Sequence, residues 1–243
     1  MLTYLLRHAR TAYSAAYLVN GDPTVRVYLD RTGHRQCAAA RDTLPIRDLA
    51  TCVVSGFCRA VQTAELLLAG HGVPLVSDTR LNEIDYGMFE GCPFPEYADW
   101  LREHGAWERP SGARECQREA ILRMIEGLRD VLAWPGPRLV VAHGLLLSVL
   151  NQARRGMAFS GVFFPEAPYV DPVRLTDGEV LDLTGRLVEQ ITNERGVPTF
   201  RGRAAVSVPT PGRSLATFGH GSAICRAEPG STAVPNEEED RHA

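Results

Sequence analysis

Dense apolar blocks of four to six residues alternate along this chain with longer stretches whose apolar positions recur at helical spacing. Leu2 to Leu6 is a compact apolar run bounded by polar residues, the pattern of a strand buried on both faces. Thr51 to Ser55 (TCVVS) is short and β-branched, Val73 to Val76 follows the His71-Gly72 break, and Arg138 to Ala142 (RLVVA) is the clearest buried strand. Between these runs the spacing predicts helices over His34 to Leu44, Phe57 to Ala69, Phe94 to His104, Arg114 to Trp134 and Leu145 to Arg155. The first has Thr32 as a candidate cap and Pro45 just past its end. In the fourth, Ile121, Met124, Ile125, Leu128, Val131 and Leu132 form one stripe, and Pro135 and Pro137 end it.

Strand, helix and strand in alternation predict an α/β domain with a largely parallel sheet. Ligands of such sheets bind outside the carboxyl ends of the strands. Arg7-His8, Ser55 and His143 each stand at such an end, so three distant polar elements are expected to meet on one edge. Arg10 to Tyr28 has no sustained period and reads as a long functional loop. Farther on, Tyr169 to Leu175 and Glu179 to Leu183 read as two strands joined by an Asp177-Gly178 turn. Pro, Gly, Ser, Thr, Arg and Ala dominate from Gly196 onward, and Glu237 to Asp240 is acidic. The expected organisation is a domain over 1–195 and a mostly disordered extension over 196–243. His220, in FGHGS, falls in that extension without a strand before it.

Composition changes this picture little. A 44% hydrophobic content over 243 residues suffices for one packed core. A formal net charge of -3 gives no general attraction to nucleic acid or to an anionic membrane, so neither is expected as a partner. All 26 basic residues are Arg, a bias that follows from Arg-rich codon usage, although Arg is also the better bidentate phosphate ligand. The six cysteines form no CxxC pair, and no apolar run approaches the roughly 18 residues that cross a bilayer. The N-terminus runs straight into the first strand. A soluble cytoplasmic protein is the expectation, with oligomeric state open, a homodimer included.

Arg7-His8 alone is a weak signal. With Arg59 in SGFCRAVQTA, Glu83 in LNEIDYGMFEG and His143 in VVAHG, in that order and each in a fitting local context, it becomes a strong one. The set resembles the histidine phosphatase superfamily, which includes the cofactor-dependent phosphoglycerate mutases and many phosphatases, over Leu2 to Leu183. The resemblance implies a three-layer α/β/α sandwich with a mostly parallel central sheet, phosphoglycerate mutase-like. It also implies that Arg7, Arg59 and His143 form a phosphate pocket, that His8 is the nucleophile and that Glu83 is the proton donor. Thr11, Ser14, Asn20 and Ser55 are expected as second-tier phosphate contacts.

The chemistry suits these residue types. Phosphoryl transfer asks a protein mainly for positioning and charge stabilisation, and Arg7 and Arg59 offer bidentate donors that stay charged. His8 must attack as neutral imidazole through one nitrogen while the other is held by an acceptor. Glu83 needs a raised pKa, which burial beside Ile84 and Tyr86 would supply, and Asp85 and Glu90 stand near enough to share its role. His143 is expected to be charged when phosphate is bound and to lie opposite the arginines. No metal or other cofactor is expected, because the cationic pocket neutralises the phosphate.

Two positions depart from the family pattern. Ala9 stands where Gly follows the Arg-His pair, asking for an ordinary backbone conformation, and Ser14 replaces the usual Asn. The 60-residue separation of Glu83 from His143 is compact beside the long insertion of the mutases. The leading expectation is therefore a phosphomonoester hydrolase acting on a small phosphorylated metabolite. A phosphotransferase or mutase is the alternative, and a non-hydrolytic or repurposed phospho-ligand binder is a third reading. Substrate identity is not legible in these residues.

Overall fold

A computed structural model of the chain describes residues 1–157 and 161–196. Five strands, β1 (Leu2–Arg7), β2 (Thr51–Val54), β3 (Leu75–Ser77), β4 (Arg138–Ala142) and β5 (Val173–Thr176), form one sheet in the order β3-β2-β4-β1-β5. All neighbours pair in parallel except β5, which runs antiparallel to β1. The helices are α1 (Ala12–Ala15), α2 (Arg31–Arg41), α3 (Cys58–Leu68), α4 (Phe94–His104), α5 (Gln117–Asp130), α6 (Gly144–Arg154) and α7 (Asp177–Gly196).

The dense apolar runs are explained by burial on both faces. Successive strand residues point to opposite sides. Leu5, Val53 and Val140 join Ile121, Met124, Leu146, Leu150, Val180 and Leu187 from α5, α6 and α7 in one core. Their neighbours Leu6, Val54 and Val141 join Cys37, Ala40, Ala60, Ala64 and Leu67 from α2 and α3 in the other. The result is a three-layer sandwich. Each fully buried large apolar side chain contributes about 2 kcal/mol to holding it together.

Two expectations are corrected. Asp177-Gly178 does not turn a hairpin. It opens α7, because Val180, Leu183, Leu187 and Ile191 recur at helical spacing and are all buried against the α5 and α6 side of the sheet. Arg138 and the N-terminal ammonium both reach the Asp177 carboxylate, fixing that helix end beside β1. Likewise α2 begins three residues earlier than expected and is capped by Asp30, not Thr32; the Asp30 carboxylate accepts from the Gly33 N–H at 2.7 Å. The Arg10 carbonyl would stand 2.2 Å from a Cβ at Gly33, so α2 can lie against the turn that follows β1 only with glycine there.

The remaining elements keep their expected places to within a few residues, and the expected long loop carries one short helix, α1. The composition-defined extension, apart from Gly196 at the end of α7, lies outside the described residues, as does His220. Among the described residues no helix is long and apolar enough to cross a membrane.

Candidate active site

The carboxyl ends of β1, β2 and β4 lie side by side in the sheet order, and the polar residues that follow them meet there as expected. His8 continues β1, its N–H donating to the Ala142 carbonyl at 3.0 Å, so its ring stands at the head of the two central strands. His8 Nδ1 lies 2.7 Å from the Ala9 carbonyl oxygen, an acceptor only, and therefore carries the proton. Nε2 keeps its lone pair, which accepts from Arg59 Nε at 3.1 Å. Burial, then the charges of Arg59 and Arg7, hold the pKa of His8 well below its ordinary value. The ring is neutral, with its nucleophilic nitrogen defined.

Arg59 sits in the first turn of α3, buried, with its guanidinium over the Phe57 ring at 4.1 Å. It donates to His8, to the Asn20 side-chain and backbone oxygens, and from Nη2 to His143 Nδ1 at 3.2 Å. Burial lowers its pKa to about 10, while Glu83 and Tyr86 act in the opposite sense. Since Arg59 can only donate, His143 Nδ1 accepts, and the His143 proton is on Nε2, donating to Ser55 Oγ at 2.7 Å.

That arrangement corrects the expected place of His143. Burial, then Arg59 and His8, push its pKa well below the usual value, and it lies beside Arg59, not opposite both arginines. Its ring packs edge-on to His8 with centroids 5.2 Å apart.

Arg7, at the end of β1, is held from the other side. Nη1 donates to Glu166 and the Ala167 carbonyl, Nη2 lies 3.0 Å from the Tyr169 hydroxyl, and the guanidinium covers the Tyr169 ring at 3.9 Å. Its Nε is buried and has no hydrogen-bond partner among the described residues, a donor left for a ligand.

Glu83 follows a single 3₁₀ turn over Thr79–Leu81 and lines the same cavity as Arg7, His8 and Arg59. Burial raises its pKa, against Arg59 and the Ile84 N–H. Of the three nearby carboxylates it alone lines this cavity. Asp85 accepts from the Gly87 and Arg114 N–H groups and pairs with the Arg114 side chain, and Glu90 binds the Asn20 side chain and the Gly21 and Asp22 N–H groups. Arg123 secures the turn by donating to the Arg80 and Asn82 carbonyls.

The second-tier residues divide. Thr11 and Ser14 line the cavity, but each hydroxyl accepts the other's backbone N–H in the cap of α1. Asn20 lines it too and holds Arg59 in place. Ser55 lies outside the lining, bonded to His143. Ala9 is fully buried, donates to Thr63 Oγ1 at 3.0 Å and has no positive φ, so the ordinary backbone expected of it is what it has. Thr63, Glu166 and Tyr169 were not expected from the sequence, and Glu90, expected near Glu83, instead holds Asn20. Thr63 alone had a signal, lying one helical turn beyond Arg59 on the same face. Among the described residues no group of three or more His, Cys, Asp or Glu side chains could hold a metal ion.

A model of the histidine phosphatase superfamily (branch 1) matches residues 3–166. A probable phosphoglycerate mutase, GpmB, from Yersinia pestis (strain Pestoides F) is 28% identical over 164 residues, covering 63% of this chain and 74% of that protein. A mycobacterial glucosyl-3-phosphoglycerate phosphatase, solved with VO3, is similar in structure at a TM-score of 0.58 and 23% identity, over 72% of this chain and 92% of that one. A putative alpha-ribazole-5'-P phosphatase from Escherichia coli gives a TM-score of 0.56 at 22% identity, over 72% and 89%. The two structural likenesses speak for the fold.

Proposed function

The chain belongs to the histidine phosphatase superfamily, and on that premise we propose that it is a phosphatase hydrolysing the phosphomonoester of a small metabolite through a phosphohistidine on His8, without need of a metal. The observation that carries this reading is the protonation pattern of His8. Its Nδ1–H is held by the Ala9 carbonyl, and its Nε2 lone pair faces the guanidinium that would bind the phosphoryl oxygens.

In the first step Nε2 attacks phosphorus, the bond to the ester oxygen breaks, and protonated Glu83 gives its proton to the departing alkoxide. In the second, Glu83 as carboxylate takes a proton from water, the oxygen attacks phosphorus, and the N–P electron pair returns to Nε2. Arg59 must turn its Nε from the imidazole to the phosphoryl group, and the unpartnered Nε of Arg7 is available to join it. His143 keeps Arg59 aligned. With Thr11 and Ser14 committed to a helix cap, these arginines carry most of the phosphate charge. Between Glu83 and His143 stand α4 and α5 and no longer insertion, which favours access of water over its exclusion.

Phosphate release from a panel of monoesters, in the presence of chelator, compared between the intact protein and His8→Ala, tests the proposal. Release that survives chelator and is lost in the variant is expected. Retained release in the variant would overturn the mechanism. Transfer of phosphate to an acceptor without release would move the mutase reading ahead, and binding without either reaction would favour a phospho-ligand binder.

A further inference from the structure

Apart from the groups assigned above to the phosphate, the cavity holding His8 is lined mainly by apolar and aromatic side chains, with the Gln117 amide, the Ser148 hydroxyl and the tyrosine hydroxyls as its remaining polar groups, and this bears on what the phosphate is attached to. It encloses about 430 Å3, room for a phosphate and a ring system. Among the described lining residues the only cations are Arg7 and Arg59, both assigned to the phosphate in the mechanism above. The acidic groups on the lining are Glu83, which holds a proton when substrate binds in the mechanism above, and Glu166, which pairs with Arg7. A substrate with a second anionic group would lose water there and find no further cation on the described lining to pair with. Arg102 lies over Phe163 at 5.1 Å, but it pairs with Asp99 and is outside the lining.

The wall is made by Val19, Ile84, Tyr97 and Leu145 inside. At the mouth stand Tyr17, Phe94 and Phe163, exposed by 68%, 41% and 42%, which is more than a packing role needs. The wall amide of Gln117 is committed, donating to the Val162 carbonyl and accepting from Arg118, so it does not offer itself to a polyol. Resting on the phosphatase reading above, we infer that the substrate is the monophosphate of an uncharged, ring-bearing, largely apolar alcohol, and that Phe163 and its neighbours at the mouth select it.

The test uses esters of aliphatic alcohols, so that an aryl leaving group confers no advantage: 2-phenylethyl phosphate, glycerol 3-phosphate and 3-phosphoglycerate. The expected kcat/KM for 2-phenylethyl phosphate exceeds both others by about tenfold or more, with 3-phosphoglycerate poorest. Phe163→Ala should narrow the ratio of 2-phenylethyl phosphate to glycerol 3-phosphate by about fivefold. Turnover with 3-phosphoglycerate preferred, or an unchanged ratio in the variant, overturns this inference and leaves the phosphatase reading standing. If no ester is hydrolysed, that reading falls, and binding to the intact protein decides here. Benzylphosphonate tighter than phosphonoacetate supports the apolar site, and the reverse order, or equality, overturns it.

Discussion

The floor of the cavity and its wall are built in opposite ways. On the floor stand His8 and Arg59, with His143 and Ser55 behind them, all buried and joined in one hydrogen-bonded series, so each ring nitrogen has a defined role. The wall comes from α4, from the segment around Glu83 to Phe89 and from residues 162–164, where the contacts are aromatic and apolar, such as Tyr86 edge-on to Tyr97 at 4.9 Å. Hydrogen bonds fix direction as well as distance, whereas apolar packing mainly fixes volume. A floor of the first kind constrains the reaction, and a wall of the second kind can change its substrate without disturbing it.

The sharpest way to break this division is to change the floor and ask whether all substrates suffer alike. Arg59→Met removes the donors to both imidazoles and to Asn20, and kcat/KM should fall about 10³-fold for every ester. A loss confined to apolar esters would show that floor and wall are not separate. Glu83→Gln should lower kcat by about 10²-fold for alkyl phosphates and far less for 4-nitrophenyl phosphate, whose leaving group needs little protonation. Because burial raises the Glu83 pKa, its acid form persists to higher pH, and the alkyl rate should fall as pH rises through that value. This basic limb should be missing from the Gln variant's profile.

A stability measurement sharpens the same comparison. His8 and His143 have pKa values held below the ordinary 6.5, so the unfolded chain binds more protons than the native one as pH drops below about 6.5. Each ring then withdraws stability as pH falls, and contributes nothing adverse above that value. Glu83, raised, acts with the opposite sign, so the test belongs in the Glu83→Gln background. There the denaturation midpoint should drop between pH 7.5 and 5.5, and His143→Asn should flatten the drop. An equal slope in both would show that His143 is not neutral in the fold. The smallest effect is expected for Tyr169→Phe. It removes one of the groups on Arg7 while Glu166 and Ala167 remain, so KM should rise about two- to threefold with kcat kept.

Legibility followed range along the chain. The strands, α3 and α4 could be read because their patterns are local, and so could the meeting of Arg7, His8 and His143, which follows from standing at strand ends. The Asp177-Gly178 turn was misread because a turn dipeptide is a local signal, and the α7 stripe that outweighs it extends to Ile191. Glu166 and Tyr169 gave no sign, since what defines them is contact with Arg7 about 160 residues away. Thr11 and Ser14 were legible as cavity residues, but their mutual cap is a matter of backbone geometry.

Residue type and order alone determined the α/β class and the gathering of His8, Arg7 and His143 at strand ends, because buried strands and their polar ends are written in short contiguous runs. The protonation of the two histidines, the place of His143 beside Arg59, the separation of Glu83 from Asp85 and Glu90, and the apolar wall were settled by tertiary contact. Proton positions and pKa values depend on which groups meet through space and how much water they lose, and neither quantity is carried by any one segment of the chain.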